Sequence, residues 1–120
     1  MAHLLLVDDS EVMRELLRDA LEDHHTVVGE AGDGADAIEI VSDQSDSIDV
    51  VMMDIVMPEV DGIEATRQIK EIDPTIKIVF CTSVTQQDRM KKAIEAGADG
   101  YIAKPFEGET VNVAIEDVHS

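Results

Sequence analysis

Five short apolar runs, Leu4–Val7, Val27–Val28, Val50–Met53, Ile76–Cys81 and Tyr101–Ala103, alternate with stretches whose apolar residues recur at helical spacing. Few folds accommodate that pattern. Strands joined by helix-length crossovers run parallel, the crossovers are right-handed, and helices then cover both faces of one sheet. The run Val50-Val51-Met52-Met53 is apolar at every position, as a central strand buried on both faces should be. The pattern leaves the order of the strands open. No long linker, repeat or low-complexity tract interrupts the series. At 120 residues, the chain is therefore expected to form one domain over residues 1–120, with no attached effector or DNA-binding domain.

The intervening segments carry helix punctuation. Val12, Met13, Leu16, Leu17, Ala20 and Leu21 form a stripe behind Ser10, a residue suited to cap a helix N-terminus. Val111, Ala114, Ile115 and Val118 form a second stripe. Asp61 with Glu64, and Thr85 with Asp88, have the spacing of capping boxes, and Gly97 stands where a helix C′ residue belongs. A helix is expected between Gly34 and Val41, followed by a solvated loop over Ser42-Asp43-Gln44-Ser45-Asp46-Ser47.

The polar residues that end the apolar runs are Asp8-Asp9, Asp54, Thr82 and Lys104. In an open parallel sheet the strand C-termini share one edge, where such folds bind ligands. Asp8-Asp9 alone also reads as a helix cap. Asp54 is harder to dismiss, because a carboxylate at the end of an all-apolar strand is costly without a partner and a neighbouring carboxylate pair adds repulsion. A hard divalent cation resolves that conflict, and Mg²⁺ takes one or two carboxylates together with other oxygens. Lys104, in a chain with only nine Lys and Arg, is a compact cation able to hold a phosphoryl oxygen. It precedes Pro105, whose peptide bond can be cis and would then set the direction of Lys104. Thr82 supplies either a helix cap or a hydroxyl to the same group.

Charge narrows the partners. With 27 Asp and Glu against nine Lys and Arg the formal net charge is −18, which sets the chain against DNA or RNA. Such acidity fits either a high-salt cytoplasm, where screening shortens the repulsion, or a surface for a basic partner. Its spread over every segment favours the first. Cys81 lies inside an apolar run and has no second cysteine, so it reads as a buried core residue in a reducing cytoplasm. The apolar stretch at Leu4 meets Asp8 too soon for a signal peptide or membrane span. His24-His25 closes the first helix, where cationic imidazole suits the helix dipole; adjacent side chains diverge and no third metal ligand follows.

Taken with their flanks, Val7-Asp8-Asp9-Ser10, Asp54-Ile55-Val56-Met57-Pro58 with Asp61-Gly62, Thr82-Ser83, and Gly97-Ala98 through Tyr101 to Lys104-Pro105-Phe106 resemble the receiver domain of two-component response regulators. The resemblance covers essentially the whole chain. It implies an α/β, doubly wound, five-stranded parallel sheet of order 2-1-3-4-5 in a flavodoxin-like three-layer sandwich. It also implies that Asp54 is the phosphoacceptor for a histidine kinase. Asp9 would bind Mg²⁺ directly, Asp8 directly or through water, Asp54 itself would be a further ligand, and the Val56 carbonyl would be the backbone ligand. Lys104 and the backbone amides of Ile55 and Ser83 would take up phosphoryl charge. Thr82 and Tyr101 would form the switch, the hydroxyl moving toward the phosphoryl group and the ring turning into the vacated space.

Among stand-alone receivers the set is most similar to chemotaxis regulators. With the acidity, this suggests a cytoplasmic, monomeric switch from a halophilic archaeon. Its partners would be a histidine kinase, a motor adaptor or switch protein of the archaellum, and a phosphatase, without nucleic acid or membrane. It would not be an enzyme beyond phosphotransfer and slow self-dephosphorylation. A phosphorelay intermediate or a receiver of another pathway is the alternative. A Mg²⁺-dependent phosphatase is disfavoured because Asp54-Ile55-Val56 lacks a second Asp two residues on. Val56 and Val84 occupy positions where many members of the family carry polar groups near the hydrolytic water, which implies a long-lived phosphate on Asp54.

Overall fold

The computed structural model describes the chain except Met1, Val56, Pro58, Glu59, residues 84–88, Pro105, Ser120 and the side chain of Thr82. Five strands, β1 (His3–Val7), β2 (Thr26–Ala31), β3 (Val50–Asp54), β4 (Lys77–Ser83) and β5 (Gly100–Lys104), alternate with α1 (Glu11–Leu21), α2 (Gly34–Gln44), α3 (Gly62–Ile72), α4 (Met90–Ala96) and α5 (Gly108–His119). All strand pairs are parallel, and the order is β2-β1-β3-β4-β5. This is the doubly wound sheet that the resemblance implied.

Strand alternation divides the core in two. Leu5, Val7, Val51, Met53, Ile78 and Phe80 face one side, where they pack with Ala37, Val41, Ala65, Ile69 and Ala93 from α2, α3 and α4. Leu4, Leu6, Val50, Met52, Val79 and Cys81 face the other, against Leu17 and Leu21 of α1 and Val111 and Ile115 of α5. All five residues of β3 are buried, in keeping with its central position. Burying side chains of this size is worth about 1.5–3 kcal/mol each, so the strand ends are held by both layers at once.

The caps largely follow the sequence. The Ser10 side chain accepts from Met13 N, and that of Asp61 accepts from Glu64 N. Gly97 ends α4 with φ 116°, a left-handed conformation natural to glycine. The Thr85–Asp88 box lies outside the described residues. Three expectations need correction. First, α2 continues to Gln44 and a 3₁₀ turn follows over Ser45–Ser47. Buried Ala37 and Val41 hold that helix to the sheet, and its last polar turn simply extends it into solvent. Second, the α1 stripe is narrower than drawn, since Val12 and Leu16 are 67% and 50% exposed. Third, His25 is not a surface cation, because burial lowers its pKa and Nδ1 accepts from Ala2 N at 3.0 Å.

Candidate functional site

The C-terminal ends of β1, β3 and β5 deliver the polar residues to one edge. Asp54 is the last residue of β3 and only 6% exposed, while Asp8, one residue past β1, is 1% exposed. Asp9 beside it is exposed. Each of the three carboxylates offers an oxygen, and these oxygens lie within 4.8 Å of one another. Lys104, the last residue of β5, reaches across with Nζ 3.0 Å from Asp8 Oδ2 and 3.5 Å from Asp54 Oδ1.

The surrounding backbone fixes Asp8. Its amide donates to Ala31 O at 3.1 Å, its Oδ1 accepts from Ser10 N at 2.9 Å, and its carbonyl accepts from Arg14 Nη1 at 2.5 Å. The Asp8 carboxylate thus serves as a hydrogen-bonded turn as well as a charge. Behind Asp54, Gly62 opens α3 with its amide 2.8 Å from Ile55 O. A Cβ on Gly62 would lie 2.0 Å from Asp54 O. Only glycine lets α3 start this close to the end of β3.

Three carboxylates against one ammonium leave negative charge uncompensated. Burial, the largest cause, raises the Asp54 pKa to about 6; Lys104 opposes it, and Asp8 and Asp9 push further upward. Burial alone would lower Lys104, but the Asp8 hydrogen bond and the Asp54 and Asp8 charges outweigh it and raise its pKa. A cluster of hard oxygen donors with surplus negative charge and one exposed member fits Mg²⁺, which favours carboxylate and water ligands. Among the described residues neither a nitrogen nor a sulfur ligand joins the three carboxylates. The Cys81 thiol, pushed up to about 12 by burial, is no ligand or nucleophile at neutral pH.

Asp8, Asp9, Asp54 and Lys104 therefore meet as expected. Cys81 pairs with Asp54 in the β3–β4 ladder, so Thr82, next along β4, follows at the same edge, and Ser83 pairs with Lys104. The Thr82 side chain, the Val56 carbonyl, Val84 and Pro105 lie outside the described residues. Ile55 is buried. Tyr101, on β5, is 59% exposed. It borders a shallow apolar depression of about 250 Å³ lined also by Met90, Ile94 and Ala98. Sequence reasoning missed Arg14 and the close approach of Gly62. Arginine scarcity in an acidic chain was the available sign of the first.

Residues 4–116 match the family model described as response regulator receiver domain. The chain is 54% identical over 115 residues to the chemotaxis protein CheY of Halobacterium salinarum, covering 96% of this chain and 94% of that protein. It is 44% identical to the chemotaxis protein CheY of Bacillus subtilis, over 96% of each. The fold is similar to a crystal structure of a CheX–CheY–BeF3–Mg²⁺ complex from Borrelia burgdorferi. There the TM-score is 0.92 and the identity 26%, over 99% of this chain and 90% of that one. Among the described residues no helix is long and apolar enough to cross a membrane.

Proposed function

The chain belongs to the response regulator receiver domain family, and from that premise we propose that it is a chemotaxis switch operated by phosphorylation of Asp54. The observation that carries this reading is the meeting of Asp8, Asp9 and Asp54 with Lys104 at one sheet edge. Similarity to chemotaxis proteins over nearly the full chain supports the pathway.

In the reaction, an Asp54 carboxylate oxygen forms a P–O bond as the P–N bond of a kinase phosphohistidine breaks. The electron pair leaves on the imidazole nitrogen, which takes up a proton. Asp54 must be ionised to attack, so at neutral pH a pKa of about 6 leaves it mostly reactive. Asp9, Asp8 and Asp54, with the Val56 carbonyl, would hold Mg²⁺, and the ion when bound would supply charge neutralisation on the transferring oxygens. Lys104 already contacts both buried carboxylates and needs only a small movement to hold a phosphoryl oxygen. The amides of Ile55 and Ser83 stand at the same strand ends and take up the rest. The Thr82 hydroxyl then reports the new charge, and Tyr101, exposed in this state, turns inward.

The signal leaves by protein contact, received from a cytoplasmic histidine kinase and passed to a motor adaptor or switch protein. The test is mass spectrometry after treatment with a small acyl phosphate and Mg²⁺. One phosphoryl group should be gained by the native chain and none by Asp54→Asn; no gain by the native chain would refute the phosphoacceptor reading.

A further inference from the structure

The Asp8–Asp9 peptide is anchored more firmly than a helix cap requires. Besides its contact with the Asp8 carbonyl, Arg14 donates from Nε to Glu30 Oε1 at 3.0 Å. Glu30 Oε2 is taken by Arg18, through Nε at 3.0 Å and through Nη2. Arg18 also donates to Glu22 at 2.8 Å. One guanidinium thus joins α1, the end of β2 and the turn after β1, with its side chain only 18% exposed. A lysine would have to meet both acceptors with a single Nζ, whereas here the two contacts use different nitrogens of a rigid fork.

The peptide unit is planar, so fixing the direction of the Asp8 carbonyl fixes the plane from which Asp9 departs. Of the three carboxylates, Asp9 most needs such help. Asp8 is tied to Ser10 N and Lys104, and Asp54 is buried beside Lys104. Asp9 is exposed and, among the described residues, its side chain has no hydrogen bond or ion pair. Its aim toward Asp54 depends on its backbone.

We propose that Arg14 is a positioning residue for the cation site, holding the Asp9 carboxylate toward Asp54 through the Asp8 carbonyl, with Glu30 as its anchor. The inference rests on the Mg²⁺ reading of the acidic cluster. Arg14 touches neither metal nor phosphoryl group; it acts on the angle at which Asp9 is presented.

The test is calorimetric titration of Mg²⁺ into metal-free protein at pH 7, with far-UV circular dichroism to verify folding. Arg14→Ala should weaken Mg²⁺ binding about 10-fold, as loss of a partner behind a metal ligand commonly does. Arg14→Lys should recover less than half of that loss on a logarithmic scale, and Glu30→Gln should weaken binding about 3-fold. Arg18→Ala removes ion pairs of the same network without touching Asp8, and should leave the affinity within about 2-fold while lowering stability. Unchanged affinity in folded Arg14→Ala overturns the proposal, as does equal weakening by Arg18→Ala, which would make the network merely structural. If Arg14→Ala does not fold, unchanged affinity in both Arg14→Lys and Glu30→Gln overturns it. Failure of the native chain to bind Mg²⁺ is a different result, which removes the metal reading and the proposal with it.

Discussion

Replacing Asp54 by asparagine should stabilise the metal-free protein, and by an amount that depends on pH. The native fold raises the Asp54 pKa to about 6, chiefly by burial, against 3.8 for an ordinary aspartate. The fold therefore holds its proton more tightly than the unfolded chain does. A folded-state pKa above the unfolded one gives stability that is complete below the unfolded value and is lost as pH rises through the folded value. Integrating between the two values gives a cost of ionised Asp54 of about 1.5 kcal/mol at pH 5 and about 3 kcal/mol at pH 7. Asparagine keeps the shape and removes the charge, while Lys104 retains Asp8 at 3.0 Å. Urea unfolding followed by circular dichroism, in EDTA and molar KCl, should show the variant gaining about 3 kcal/mol at pH 7 and about half of that at pH 5. Mg²⁺ should narrow the gap by stabilising the native chain, with all three carboxylates, more than the variant, which keeps only Asp8 and Asp9. A gain that is absent at pH 7, or equal at both pH values, would refute the claim that uncompensated charge on Asp54 strains the edge.

Gly62→Ala should destabilise by about 2–4 kcal/mol and abolish phosphorylation of Asp54, because backbone overlap at 2.0 Å cannot be relieved by turning a side chain. Gly108→Ala, whose Cβ would meet Ala20 at 3.6 Å, should change urea stability by less than about 1 kcal/mol. His25, buried and held neutral with a lowered pKa, contributes stability that is complete above about pH 6.5 and declines as pH falls. The stability difference between the native chain and His25→Asn should shrink between pH 7 and pH 5.5; a constant difference would contradict a neutral native His25. Val56→Asn and Val84→Glu should each shorten the lifetime of phosphorylated Asp54, measured by loss of the phosphoryl mass in Mg²⁺. Equal lifetimes would remove the role assigned to these valines.

The sheet was legible because its determinants are local. Each strand announces itself by a run such as Val50–Met53, and each helix by residues three and four apart. Strand boundaries were less legible: β2 runs over Thr26–Ala31, though only Val27-Val28 is a continuous apolar pair. At the sheet edge, side chains such as Glu30 face solvent and backbone pairing with β1 defines the strand instead. Exposure of Val12 and Leu16 was likewise hidden, since apolar character does not reveal how much of a helix the neighbouring α5 and sheet cover.

The site divides along the same line. Asp8, Asp9, Asp54 and Lys104 could be found because a charge at the end of an apolar strand conflicts with its surroundings and therefore demands a partner. Arg14 and Gly62 act through backbone atoms, one on the Asp8 carbonyl and the other beneath that of Asp54. Backbone contacts leave no complementary residue type elsewhere in the chain, so no spacing rule points to them. Scarcity still does, for the reasoning that singled out Lys104 among nine basic residues applies to Arg14 as well. In a chain carrying −18, nearly any acidic neighbour could pair with an arginine. One whose guanidinium is spent partly on a neutral carbonyl beside the acidic cluster has a task that charge balance alone does not require.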